Sequence, residues 1–226
     1  MQTAQATFET QFGWLQRPAI RNTSWDWAKF EVCAHRWCDL SEYGFGVALL
    51  NDCKYGYAVE RNVMRLSLLR SPKAPDDTCD IGEHRFTYSL MPHAGSFQEA
   101  NVIQEGYNLN CPLRTSTTEV AVAPPPAPLF KVSSAAVILE TVKLAEDGSG
   151  DLILRLYEAY GSTAAFTLET SDALPWSKAD LVNILEDPLP GADAGAFHFY
   201  ARAKDRCFSA TLTPFKLMTV RLSGRR

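Results

Sequence analysis

The stretch most loaded with chemistry is Asn51-Asp52-Cys53-Lys54-Tyr55-Gly56-Tyr57. It puts planar polar groups, a carboxylate and two aromatic rings within seven positions, the groups that bind sugar hydroxyls and stack on sugar rings. The same residues also suit a plain backbone reversal at a strand end, with Tyr55 and Tyr57 packed down. A second concentration follows Arg70, where Asp76, Asp77, Asp80 and Glu83 gather in a turn-rich segment. Glycoside hydrolysis needs two carboxyl groups at a set separation, one as acid and the other as base or nucleophile. A loop of this kind could line such a site, or be a solvated acidic surface. Cys33, His35 and Cys38 are the nearest approach to a metal cluster, but no fourth ligand completes them and their spacing is not that of a zinc site. The chain has no P-loop, no dinucleotide-binding glycine fingerprint, no nucleophile elbow and no HExxH helix, which removes four large reaction classes.

The elements that must hold these residues read as strands. Phe30, Val32 and Ala34 alternate with Glu31, Cys33 and His35. Similar alternation marks Met64 to Leu68 and Glu83 to Leu90, with an apolar run from Gly46 to Leu50. Gly44, Gly46, Gly56, the 71–77 segment and Met91-Pro92 punctuate them. Between Ser96 and Asn108 the spacing of Phe97, Ala100, Ile103 and Gln104 becomes helical, and Ser96 with Glu99 forms a capping-box pattern, so one short helix is expected. Thr115 to Pro128, with Pro124-Pro125-Pro126, reads as an extended linker or surface crossing. Beyond it, strands are expected at Val137–Val142, Leu152–Tyr157, Ala165–Leu168, Leu181–Leu185, Phe197–Tyr200, Phe208–Leu212 and Leu217–Leu222, with a hairpin signal at Asp147-Gly148-Ser149-Gly150. The fold class is therefore all-β, an antiparallel β-sandwich architecture with one short helix. Its expected parts are 1–114, a linker at 115–130 and 131–226.

The chain's 226 residues carry 22 basic and 26 acidic side chains for a formal charge of -4, which gives no electrostatic footprint for nucleic acid or an anionic membrane. No basic-then-apolar leader opens the sequence and no window approaches a spanning length. Six scattered cysteines suggest mostly buried free thiols in a reducing compartment. The tryptophans are expected as core or interdomain anchors, with Trp14, Trp25 and Trp27 contributing to an exposed apolar patch.

Several long words of the sequence, in order, are familiar together: Thr23-Ser24-Trp25-Asp26-Trp27-Ala28-Lys29-Phe30-Glu31-Val32, His35-Arg36-Trp37, Asp39-Leu40-Ser41-Glu42, and Gly44 through Gly56. Leu66 through Asp76, Phe86 through His93, Leu139 through Lys143 and Leu154 through Ala159 continue the pattern. They resemble the C-terminal β region of family 38 glycoside hydrolases, the class II alpha-mannosidases, and most closely their cytosolic or vacuolar branch. Cys38 departs from the pattern, and Ser171 to Arg206 holds no recognisable family word. The resemblance implies hydrolysis of terminal alpha-linked mannose in oligosaccharides with retention. The Asp nucleophile, the acid/base carboxyl and a zinc or similar divalent metal would all lie in a preceding α/β domain. It implies that this chain is a fragment, inactive alone, holding no catalytic residue, metal or cofactor of its own, and cytoplasmic with a vacuolar setting as the alternative. Its loops would support the catalytic domain and lend Asn51, Asp52, Tyr55, Arg70, Asp76 and Asp77 to the substrate pocket. A stand-alone carbohydrate-binding module and a degenerate structural fragment are the competing expectations.

Overall fold

The computed structural model describes residues 3–115, 117, 128–191 and 197–224. The chain divides into two compact units, Met1–Ser116 and Thr117–Arg226. Most of the expected linker, 116 and 118–127, lies outside the described residues.

Unit 1 opens with the hairpin β1 (Gln5–Thr10) and β2 (Gly13–Pro18), closed by a two-residue turn that holds Phe12 at φ 54. A five-residue helix, α1 (Ser24–Ala28), follows. The Asp26 N–H donates to Thr23 Oγ1 at 3.2 Å while Asp26 Oδ2 accepts from the Thr23 N–H at 3.0 Å, so two orphan donors of the first turn are satisfied reciprocally. The chain then runs through β3 (Val32–Cys33), β4 (Trp37–Glu42), β5 (Phe45–Asn51), β6 (Gly56–Glu60), β7 (Val63–Ser67), β8 (Tyr88–Ala94) and α2 (Val102–Asn110). The strands pair antiparallel into a five-stranded sheet ordered β2-β1-β4-β5-β8 and a three-stranded sheet ordered β3-β6-β7. Ala6, Phe8, Cys38 and Leu40 of the larger sheet meet Tyr57 and Val59 of the smaller in a common core.

The antiparallel, all-β reading is the architecture found, but the described residues include two α-helices, α1 and α2, where one was expected. α1 buries no residue, so it carries no periodic apolar signal, and its only mark in the sequence is the Thr23/Asp26 cap. The expected strand from Phe30 to His35 shrinks to two residues because the chain changes sheets there. The Ala34 N–H donates to Tyr55 O in the small sheet's direction, and the His35 N–H donates to Glu9 O of β1. The helix expected from Ser96 starts later. Ser96 and Glu99 do bond reciprocally, Glu99 N to Ser96 Oγ at 3.2 Å and Ser96 N to Glu99 Oε2 at 2.9 Å, but they cap a turn before Asn101. The helix proper buries Val102, Ile103 and Gly106, and a β-carbon on Gly106 would come within 2.8 Å of Trp37 Cδ1. Met91-Pro92, expected as punctuation, lies inside β8. Proline is tolerated there because β8 is an edge strand. Trp37 is fully buried, whereas Trp25 and Trp27 stand exposed on α1 and Trp14 packs edge-on against Phe97.

Unit 2 is a second sandwich. One sheet is ordered β10 (Val137–Leu144), β11 (Leu152–Glu158), β16 (Leu217–Ser223), β13 (Lys178–Val182), and the other β14 (Tyr200–Arg202), β15 (Cys207–Leu212), β12 (Ala164–Thr170), β9 (Phe130–Val132). Leu154, Leu156, Val220 and Leu222 of the first pack against Phe166, Leu168, Phe208 and Leu212 of the second. Trp176 joins this core, its Nε1 donating to Thr170 Oγ1 at 2.9 Å. The strand expected at Leu181–Leu185 ends at Val182, because Asn183 Oδ1 accepts from Leu185 N and Asp187 N and turns the chain.

The β10–β11 turn is tied to β16. Asp147 accepts from the Ser149 N–H at 2.9 Å and pairs with Arg221 at 2.7 Å, and Arg221 Nε also reaches Asp151 at 2.8 Å. The Ser149 bonds, then Arg221, pull the Asp147 carboxyl down to about 2 from its ordinary 3.8. A carboxyl depressed in the folded state contributes stability above its unfolded value and loses it as pH falls through the folded one. The stability gap between the parent and Asp147→Asn should therefore be constant above pH 3.8 and close by about pH 2. Urea midpoints across that range measure it, and a gap that persists at about pH 2 would refute the assignment.

Candidate functional site

The six residues singled out as substrate-binding lie in two loops of unit 1. In the first, Asn51 ends β5 at 1 % exposure, and every polar group of its side chain is used internally. Its Oδ1 accepts from the N–H groups of Cys53 at 3.0 Å and Lys54 at 2.5 Å, which makes the turn. Its Nδ2 donates to His35 O at 3.0 Å and to the Tyr57 hydroxyl. The Tyr57 hydroxyl donates to the same carbonyl at 2.9 Å, and burial first of all pushes its pKa up. Asn110 of α2 donates to Asn51 O at 3.0 Å. Asn51 is thus a structural node rather than a group facing solvent.

Asp52 clamps the chain ahead of β8, its Oδ1 accepting from Thr87 N at 2.9 Å and its own N–H donating to Thr87 O at 3.1 Å. The Thr87 N–H, and after it the Cys53 side chain, hold its carboxyl below the usual range. Tyr55 is 57 % exposed, with its ring edge-on to His35 at 5.6 Å. In the second loop Asp76 accepts from the Thr78 N–H and hydroxyl, each at 2.9 Å, which lowers its pKa. Asp77 is exposed.

Arg70 lines a wide, open groove with Glu31, Lys54, Asp80 and His84. Lys54 lies over the Phe86 ring at 4.8 Å, and Asp80 accepts from the Ser71 N–H at 2.7 Å. Gly56 lets the Glu31 carboxylate lie against the backbone beside this groove, and a β-carbon there would push that side chain aside. Of the six, the structure places only Arg70 on this groove, beside Lys54, and leaves Asn51, Asp52, Tyr55, Asp76 and Asp77 off its walls. Glu31 and His84 were not anticipated. Both sit in runs whose alternation suggests strands, but His84 belongs to the 68–87 loop and Glu31 directly precedes the two-residue β3.

A second cluster superficially has the parts of a hydrolytic triad. Asp39 Oδ2 lies 2.7 Å from His93 Nε2 and its Oδ1 accepts from Ser41 Oγ at 2.5 Å. The aspartate is in the middle, so serine and histidine do not meet, and a nucleophile–base relay is not assembled. Asp39 is almost fully buried, and burial raises its pKa against the opposing pull of His93 and Ser41. Gly46 opens the space, since a β-carbon there would collide with the His93 ring.

Among the described residues no group of three His, Cys, Asp or Glu side chains converges to hold a metal. Cys38 faces the core and Cys33 faces solvent, so the Cys33–His35–Cys38 set does not close. The cysteines are free, but only Cys38 is buried; Cys33, Cys53, Cys79 and Cys111 are exposed. No helix among the described residues is long and apolar enough to cross a membrane.

Both sandwiches have counterparts among known proteins. The profile of the glycosyl hydrolases family 38 C-terminal domain matches residues 1–78, and that of the family 38 C-terminal beta sandwich domain matches residues 136–220. The chain belongs to the C-terminal region of family 38 glycosyl hydrolases. It is 52 % identical over 229 residues to alpha-mannosidase 2C1 of Homo sapiens, covering 98 % of this chain and 21 % of that protein. It is 38 % identical over 180 residues to an alpha-mannosidase of Saccharomyces cerevisiae (strain ATCC 204508 / S288c), covering 74 % and 16 %. The crystal structure of an alpha-mannosidase from Enterococcus faecalis V583 superposes with a TM-score of 0.74 at 20 % identity, over 99 % of this chain and 24 % of that one, which shows the fold. The family 38 segment seen here thus spans about a fifth of the length of the human relative, its C-terminal part.

Proposed function

We propose that this chain is the non-catalytic C-terminal β part of an alpha-mannosidase that removes terminal alpha-linked mannose from oligosaccharides with retention. The observation that carries the reading is the 52 % identity to alpha-mannosidase 2C1 across nearly the whole chain. The chemistry of the chain's own groups agrees with a supporting role. A retaining glycosidase needs two carboxyl groups about 5 Å apart, one kept protonated by a raised pKa. Here Asp52 and Asp76 are pinned by hydrogen bonds that lower theirs, and Asp39, the carboxyl raised by burial, is sealed from substrate. The nucleophile, the acid/base and a zinc-like divalent metal are assigned to the preceding region of such an enzyme. The described residues of this chain do not fit that metal.

Arg70 and Tyr55 are the groups offered to sugar, the first as a fork of donors for hydroxyl oxygens and the second as a stacking face. Asp52 positions its loop through Thr87, Asn51 and Asp76 shape the backbone beneath, and the exposed Asp77 is a further group for sugar hydroxyls. The folding parts are 1–114 and 131–226, joined by the proline-rich 115–130, and the setting is cytoplasmic, with a vacuolar one as the alternative. The exposed Tyr55, next in sequence to the groove-lining Lys54, is the observation that favours the second reading, a stand-alone carbohydrate-binding module.

The test is a chimera of the human relative whose matched C-terminal segment is replaced by this chain, assayed on p-nitrophenyl alpha-mannoside. Turnover is expected, and Arg70→Ala in the chimera should raise KM by about tenfold, equivalent to ~1.4 kcal/mol, with kcat less affected. A folded chimera without turnover would overturn the reading. An unchanged KM in Arg70→Ala would remove Arg70 from the pocket.

A further inference from the structure

Unit 1 faces a five-stranded sheet with a three-stranded one, and the mismatch leaves part of the inner face uncovered. Cross-strand partners share a face. Leu40 opposite Val47 and Cys38 opposite Leu49 therefore put Val47 and Leu49 on the side that carries the core. The next pairing, Val47 with Pro92, Leu49 with Leu90 and Asn51 with Tyr88, carries that same face out to the edge strand β8. Tyr57 and Val59 of the small sheet join the core with the β1 and β4 residues. Beyond their reach Phe45 is 43 %, Tyr88 58 % and Leu90 66 % exposed, Pro92 is exposed, and Val47 and Leu49 are only half-buried.

None of these six side chains is charged at neutral pH. A contiguous apolar face of this kind marks a contact surface rather than a finished exterior. Proline in a sheet lies on an edge with its missing N–H toward the open side, so Pro92 disfavours pairing of a further strand, including β8 of a second copy, along this edge. Cover must come onto the face. About four-fifths of the human relative lies outside the segment this chain matches, and that length supplies a candidate occupant.

We infer that the β5–β8 face, from Phe45 to Leu49 and from Tyr88 to Pro92, seats an apolar surface of the preceding region of the same family 38 polypeptide. The inference rests on the mannosidase reading above, and adds to it the surface by which the β part is held.

Hydroxyl-radical footprinting read by mass spectrometry tests it without any substitution in the face. Oxidation rates of Tyr88 and Leu90 are compared between the 226-residue chain and the chimera. In the chain both should oxidise readily, and in the chimera both should slow by ~5-fold or more, as water is excluded from the centre of a contact. Equal rates in a chimera that turns over mannoside would overturn the face assignment and leave the mannosidase reading standing. A chimera without turnover would bring down that reading and the inference with it. Protection already present in the chain alone would also overturn the inference, and protection that grows with chain concentration would identify a second copy as the occupant instead.

Discussion

Glu158→Ala should destabilise unit 2 by about 4 kcal/mol, because the carboxylate is fully buried and four donors depend on it. Oε1 accepts from Tyr160 N and Ser162 Oγ, and Oε2 accepts from Gly161 N and Phe215 N, at 2.9 to 3.1 Å. It sits at the end of β11 and gathers the turn into β12 and the turn into β16, so one side chain sets the geometry of two connections. Truncation takes this acceptor away from three backbone N–H groups, those of Tyr160, Gly161 and Phe215, which it holds in the two turns. Glu158→Gln keeps one acceptor oxygen but turns an amide group toward donors, and should cost about half as much. Trp176 is the only tryptophan of unit 2, so urea unfolding followed in a variant with the other four replaced by phenylalanine reports this unit. A loss below ~1 kcal/mol for Glu158→Ala would show that water replaces the carboxylate.

The second large effect is expected at Glu9 and Arg36. Glu9 of β1 accepts from Arg36 N at 2.6 Å and Nε at 2.7 Å, with Nη2 at 2.6 Å, and the Tyr107 ring of α2 lies 3.7 Å from the guanidinium carbon. Burial disfavours the charge on Arg36, but Glu9 outweighs it, so its pKa is held above the ordinary value. A pair so enclosed adds little over apolar residues of the same shape, yet removing one member strands the other. Arg36→Met and Glu9→Gln should each cost about 3 kcal/mol, and the double variant clearly less than the sum. Tryptophan fluorescence, dominated by the four rings of unit 1, follows the urea transition. Strictly additive losses would mean that the two side chains do not act as a pair.

Where period-two alternation was continuous, as in Met64 to Leu68, Phe208 to Leu212 and Leu217 to Leu222, the strands were legible, since one face of each packs on a sandwich core, half-buried in β7 and buried in β15 and β16. The misses share a cause. At 30–35 the alternation is intact, but the backbone changes its hydrogen-bonding partner midway, and partners are not written in a local pattern. At 84–87 the alternating residues precede β8 as loop because no neighbouring strand is available until Tyr88 meets Asn51. The site shows the same limit. Residue types marked Asn51 as a hydrogen-bonding group, but that its partners are His35 O and Asn110, 16 and 59 positions away, is a property of the fold. The groove around Arg70 likewise draws Glu31 from before β3 and His84 from before β8.

Under the function proposed above, this chain supports a mannosidase without performing its chemistry. The direct measurement is p-nitrophenol release from p-nitrophenyl alpha-mannoside by the purified chain, with and without added zinc or cobalt, beside the chimera. The expected result is turnover by the chimera and none by the chain under either condition. Turnover by the chain alone, abolished by Asp76→Asn or Asp80→Asn, would place an active site in the acidic loop and contradict the account.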